Sequence, residues 1–446
     1  MEEGVATKAK IANEPVKLGC SVQNYDWGRI GEDSKVARLF SLNSGLEIEP
    51  SKPYAELWMG THPSGPSVVV KSGELGGSFA GFGSKTLNSW ISENPSVLGD
   101  KVVEKWGNHL PFLFKVLSVA KASSIQAHPD KELSRALNKS KPELYRDDRH
   151  KPEMALALTE FEALCGFVSV EELKDVIHNV PEIIDLVGKA EADEVLHISE
   201  QYGEKRIKSI LQSIFTQLMT VNENAISEAV FKMKSRLNIE KKVRHLTDKE
   251  QLVLRLEKQY PSDIGVMSAF FLNYVKLNPG EALYLGANEP HASISGECVE
   301  CMATSDNVVR AGLTPKYRDV QTLCSMLTYK QGSPEILQGF LLNPYTKRYL
   351  PPFDEFGVDH CILPQGTSAT LPVAQGPSLF LVTEGKGKMQ TGTGLSGEMI
   401  SEGSVLFVPA NTQIMVTTIE GMQLYRAGVN SKFLSENQVE EVPFLT

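Results

Sequence analysis

The sequence predicts a mainly β protein with an α-helical insertion: two jelly-roll β-barrel domains plus one helical domain. Three observations point there. From Val16 to about Gly166, short apolar runs such as Ser67-Val-Val-Val70 and Leu110–Val119 are punctuated by Gly, Pro and Ser clusters, as strands and turns are. From Ser169 to Tyr260 the apolar residues recur with helical spacing instead. Beyond that block a segment repeats itself. Gly280-Glu-Ala-Leu-Tyr-Leu-Gly-Ala-Asn-Glu-Pro-His291 aligns without gaps on Gly403-Ser-Val-Leu-Phe-Val-Pro-Ala-Asn-Thr-Gln-Ile414. Each copy reads as turn, buried strand, turn, strand, which suggests two copies of one β-domain, of the cupin-like kind.

The elements follow in order. At 446 residues the chain is too long for one hydrophobic core. Residues 16–168 are expected to open the first barrel, with helices around Thr86–Asn94 and Asp130–Asn138. Ser169-Val-Glu-Glu172 has the residues of a capping box, a hydroxyl and a carboxylate that satisfy free backbone donors reciprocally. Leu173, Val176, Ile177 and Val180, then Ile207, Ile210, Leu211 and Ile214, mark the inner faces of helices. Thr247-Asp-Lys-Glu250 is a second capping box, before Leu252, Val253 and Leu256. The helical domain is therefore placed at 169–262. β-texture resumes at Met267, so residues 263–330 complete the first barrel, with a helical interval near Asp319–Tyr329. Residues 331–446 form the second barrel. It is expected to be metal-free, because Ile414 stands where the first copy has His291. It shows no evident chemistry of its own; Lys386 and Lys388 read as a solvated hairpin.

Composition narrows the function. Apolar content of 41% and charged content of 22% are ordinary for a globular protein. Met1–Lys17 has neither the apolar core of a signal peptide nor the acid-poor character of a transit peptide, and no run approaches the roughly 20 apolar residues of a membrane span. A cytoplasmic, membrane-free protein is expected. Its six cysteines are sparse and should be reduced thiols. Cys298-Val-Glu-Cys301 could suggest a metal knuckle or redox pair. On a strand, however, residues three apart face opposite ways, so two packed thiols are the simpler reading. A formal charge of −10 argues against nucleic acid as partner. An anionic substrate would need a local cluster of cations.

Four places could carry chemistry. In Ser124-Ile-Gln126-Ala-His128-Pro129, an extended chain would put Ser124, Gln126 and His128 on one face, although a Q-x-H triplet alone is weak. In His150-Lys-Pro-Glu153, Pro152 keeps Lys151 extended, so Lys151 and Glu153 share a face; a surface loop is the alternative. His291 is the metal position suggested by the repeat. Gln126, His128, Glu153 and His291 would give two nitrogens and two oxygens with one carboxylate charge. Zinc fits this set, and iron or manganese would too. Fourth, Glu300–Lys316 offers a carboxylate, Arg310 and Lys316. The two cations could grip a phosphate, or Arg310 could simply pair with Asp306 to hold a loop.

Taken together the text resembles one family. Gln23-Asn-Tyr-Asp-Trp-Gly28, Tyr54-Ala-Glu-Leu-Trp-Met-Gly-Thr-His-Pro63, Leu110-Pro-Phe-Leu-Phe-Lys115, Ser124–Pro129, His150–Glu153 and Glu300–Lys316 occur in the order found in eukaryotic type I phosphomannose isomerases. The resemblance covers nearly the whole chain. It implies interconversion of mannose 6-phosphate and fructose 6-phosphate by a monomer holding one zinc ion at Gln126, His128, Glu153 and His291. Arg310 would be an active-site residue. Ser124, Lys151, Glu300 and Lys316 would line the pocket, with Lys115 and Trp27 close by. Glu300 is favoured as the general base, with Lys151 as the rival, since a carboxylate is already deprotonated at neutral pH whereas a lysine needs its pKa depressed. The chain departs from the family at Ser293, where a Tyr is usual two residues after the ligand histidine. The competing readings are an iron dioxygenase using the same ligands and a metal-stabilised sugar-binding or storage protein.

Overall fold

The computed structural model describes residues 14–70, 85–199, 201–392 and 397–435. Most of the N-terminal stretch read for targeting signals, and the last residues assigned to the second barrel, lie outside these. No helix among the described residues is long and apolar enough to cross a membrane.

The first barrel is organised by one 13-residue strand, His291–Ala303. Its C-terminal part pairs with Phe112–Val119 on one side and Glu153–Ala157 on the other; its N-terminal part pairs with Phe161–Phe167 and Ile125–Ala127. The switch falls near Gly296. Its φ is +105°, and a Cβ there would lie 2.3 Å from the Glu160 carbonyl oxygen. Only glycine lets the strand turn from one sheet into the other. Gly296→Ala is expected to destabilise the fold by about 3 kcal/mol, combining a strained φ with a backbone clash. Urea denaturation would measure it, and a change under 1 kcal/mol would refute the account.

The strand faces decide where the site lies. Phe112, Phe114, Val116, Met154, Leu156, Val299 and Cys301 point to one core, which also holds Tyr349, Val358, Leu379, Phe407 and Tyr425 of the second barrel. The two barrels therefore pack back to back through a shared apolar layer. The opposite faces of the same strands carry Lys115, Glu153 and Glu300 into the first barrel. Cys298 and Cys301 fall in separate cores, as their spacing on a strand requires.

The second barrel is a sandwich of an eight-stranded and a four-stranded sheet. The internal repeat is visible in its backbone. Gly280 and Gly403 have φ of +85° and +83°, and Asn288 and Asn411 have +61° and +59°, at matched positions. Ile414 is buried in the apolar interior of this barrel. Val16–Gly19 and Val68–Val70, which the sequence reading grouped with the first barrel, extend the larger sheet of the second through Val405–Val408. Such long-range edge pairing leaves no local mark in the sequence.

The helical unit packs around one core that includes Leu173, Val176, Ile177, Ile210, Leu211 and Ile214. The Thr247 capping box is complete. At Ser169 only half forms: its hydroxyl accepts from the Glu172 amide, while the Glu172 carboxylate reaches Lys249 instead, at 2.6 Å. Helix also persists beyond the expected end, through Ile264–Ser268, and the strand begins at Leu272. Asp263 accounts for this by capping Gly265 at 2.6 Å and binding the amides of Leu313 and Thr314. Helices at Leu87–Glu93, Lys131–Ser140 and Val320–Met326 match expectation. Lys35–Ser44 is a helix the sequence reading missed, although Ser34 caps it and Gly45 ends it at φ +74°.

Candidate active site

A cavity of about 340 Å³ opens inside the first barrel. Trp27, Lys115, Ser124, Gln126, Lys151, Glu153, His291, Glu300, Arg310 and Lys316 all line it, and His128 lies fully buried against Glu153. The structure thus brings together every site residue expected from sequence.

The centre is a carboxylate between two imidazoles. The Nε2 atoms of His128 and His291 each lie 3.3 Å from a different oxygen of Glu153. Nδ1 of His128 donates to the Asn307 carbonyl at 2.7 Å, and Nδ1 of His291 to that of Glu289 at 3.0 Å. With the ring protons committed there, both Nε2 atoms present lone pairs, and both are buried without a hydrogen-bond partner. Burial, opposed by Glu153, lowers the His128 pKa to about 4, so the ring is neutral at physiological pH. Glu153 is buried too, yet the Lys151 ammonium at 3.2 Å holds its pKa well below the usual carboxylate range. Two imidazoles and a carboxylate converging within 4.8 Å form a donor set suited to a divalent metal. Gln126 pairs in register with His291 and with Arg310, so its amide sits beside this cluster.

A second charged group stands on the cavity wall. The Lys115 ammonium lies between Glu300 at 3.0 Å and Glu56 at 3.2 Å, and Trp58 donates to Glu56 at 2.5 Å. Burial works against the ammonium, but the two carboxylates raise the Lys115 pKa. Burial raises that of Glu300, against the pull of Lys115. Glu56, Trp58 and His62 were assigned no role from sequence. Their signal was a carboxylate inside an otherwise apolar strand, Glu56–Met59.

Arg310 and Lys316 differ from these groups. Neither has a carboxylate within 4.0 Å among the described residues. Arg310 is half-buried, which lowers its pKa, and Lys316 is exposed at the rim. The alternative pairing of Arg310 with Asp306 does not form. His62 accepts the Ser64 amide at Nδ1 and donates from Nε2 to Asp306 at 3.1 Å. Two unpaired cations therefore flank the mouth of the cavity.

Comparison with known proteins gives the family. Residues 16–170, 186–272 and 349–394 match, in turn, the catalytic, helical insertion and C-terminal domains of phosphomannose isomerase type I. Mannose-6-phosphate isomerase 2 of Arabidopsis thaliana is 60% identical over 94% of each chain, and the Homo sapiens mannose-6-phosphate isomerase is 40% identical over 91% of this chain and 96% of its own. The chain belongs to the type I phosphomannose isomerases. Among solved structures, a point mutant of phosphomannose isomerase from Salmonella typhimurium aligns with a TM-score of 0.77 at 29% identity, covering 93% of this chain and 99% of that one. A mannose 6-phosphate isomerase bound with zinc and yttrium gives the same TM-score at 28% identity, covering 93% and 99%. A cupin-like, sheet-rich phosphomannose isomerase with a helical insertion is the fold described above.

Proposed function

We propose that this chain interconverts mannose 6-phosphate and fructose 6-phosphate, with one zinc ion held by His128, Glu153, His291 and Gln126. The supporting observation is the pairing of two orphaned, buried imidazole nitrogens with two unpaired cations in a single cavity. When bound there, zinc supplies positive charge that stabilises developing charge on the sugar oxygens.

The chain's own residues do the rest. Arg310 and Lys316 take the phosphate, the first as a fork and the second as a point charge, and Ser124 adds a hydroxyl. Phosphate binding fixes the open-chain sugar so that C1 and C2 lie against the carboxylates. Glu300 removes the C2 proton of mannose 6-phosphate to give an enediolate, a proton passes from O2 to O1, and Glu300 returns its proton to C1 to form the ketose. Its raised pKa brings it closer to the operating pH than an exposed carboxylate. Lys115 stays cationic between its two carboxylates and orients Glu300. Lys151 lies against Glu153 and is the rival base.

Two measurements follow. Conversion of mannose 6-phosphate should be lost on chelation and restored by zinc; activity indifferent to chelation would remove the metal from the mechanism. Lys316→Ala should raise KM about tenfold with kcat within a few-fold, because one charge-assisted contact is worth about 1.5–3 kcal/mol. An unchanged KM would place the phosphate elsewhere.

A further inference from the structure

The second barrel contains a cation cluster that its described residues do not neutralise. Along its large sheet, Tyr349, Val358, Leu379 and Tyr425 face the core shared by the barrels, while Cys361, Phe380 and Leu424 face the barrel's own interior. By strand alternation Arg348, Asp359, Ser378 and Arg426 point inward with the second set. They line a cavity of about 200 Å³ that shares no lining residue with the isomerase cavity.

Asp359 is held from two sides. Arg348 approaches it as a fork, Nε to Oδ1 at 2.7 Å and Nη2 to Oδ2 at 3.0 Å, and Arg426 Nε reaches Oδ2 at 2.9 Å. Arg426 is 6% exposed and Asp359 4%. Two guanidiniums against one carboxylate leave a net charge of +1, and no other charged residue among those described lines the cavity. A buried charge without a counter-charge is costly. Two donors are also unused. Arg348 Nη1 and the hydroxyl of Ser378, itself 3% exposed, make no hydrogen bond among the described residues. Gln375, Ser431 and Ser435 add polar groups to the same lining. A fixed positive charge with a spare guanidinium N–H and a spare hydroxyl, in so small a space, matches a tetrahedral oxoanion.

We propose that the second barrel binds a small oxoanion here, inorganic phosphate or the phosphoryl group of a small phosphate monoester. The test is calorimetric titration of the full chain carrying Arg310→Gln and Lys316→Ala, which removes the cations at the isomerase cavity. Inorganic phosphate and glycerol 3-phosphate are the probes. One site per chain is expected. Tighter binding of glycerol 3-phosphate would identify a monoester as the source, and equal binding the phosphoryl group alone; either supports the proposal. Adding Arg348→Gln should weaken binding at least tenfold with the fold intact, because Asp359 and Arg426 remain as a neutral pair. Should that variant not fold, Arg348→Lys keeps the charge, loses the fork and should still weaken binding several-fold. Arg348→Gln alone should leave isomerase turnover unchanged. Absence of binding at millimolar phosphate, or affinity indifferent to Arg348, would overturn the proposal. So would a chain ending at Ser435 that binds phosphate tenfold more tightly than the full chain. That result would mean that carboxylates of the C-terminal segment, Glu436, Glu440 and Glu441, take the place of a free ligand.

Discussion

Replacing His291 by Leu is expected to strip the metal from the site and to lower kcat about 10²–10³-fold. Preorganised charge at a reacting oxygen is worth roughly 3–4 kcal/mol per donor in other enzymes, and each ~1.4 kcal/mol is tenfold in rate. His291 offers one of only two imidazole nitrogens in the cluster, and that nitrogen has no protein hydrogen bond to lose. The fold should tolerate the change, because Glu153 keeps Lys151 at 3.2 Å and the leucine fills the space of the ring. Metal content after dialysis, read beside turnover and thermal unfolding, separates the effects. A folded His291→Leu chain that retains stoichiometric zinc and near-normal kcat would show that the metal sits elsewhere. The carbonyls of Asn307 and Glu289 act one step further out, by fixing the ring tautomers. They are main-chain groups, so no side-chain substitution deletes them.

The metal cluster was legible because its members sit in short motifs whose backbone is constrained. Pro129 follows His128, Pro152 precedes Glu153 and Pro290 precedes His291, and each fixes an extended approach. The repeat then contrasted His291 with Ile414, and the structure shows the two at the same turn, one beside a carboxylate and the other in an apolar core. Glu56 and His62 were not legible in the same way. The Glu56–Met59 strand is buried on both faces, so its run gives no inward or outward alternation, and His62 lies in the loop beyond it. Only the pairing of Glu56–Met59 with Phe112–Val119 places Glu56 beside Lys115. The crossing of Val16–Gly19 into the other barrel's sheet was hidden for a related reason, since its partner strand lies nearly the whole chain away. The half-formed cap at Ser169 shows the limit of local rules: Glu172 had a better partner in Lys249, which no window around Ser169 contains.

Glu300→Gln should lower kcat by about 10²–10⁴ while leaving KM nearly unchanged, the loss expected when a positioned base is made unable to accept a proton. The amide is nearly isosteric. Its oxygen can still accept from Lys115, and Glu56 continues to hold the ammonium from the other side at 3.2 Å. The pH profile carries an independent sign. A carboxylate base works when ionised, so activity must fall as pH drops through its pKa. Burial raises that pKa, so the acid limb of kcat should lie above the ordinary Glu value of about 4.3. In Glu300→Gln the residual rate should lose this limb. The parallel substitution Lys151→Met tests the rival. Lys151 touches Glu153 rather than Glu300, so its loss should weaken the metal cluster and the positioning of substrate without removing the acid limb. If Glu300→Gln retains near-normal kcat and Lys151→Met is the variant that loses it, the proton passes through the ammonium instead. Lys115 would then serve only as the counter-charge of two buried carboxylates, Glu56 and Glu300.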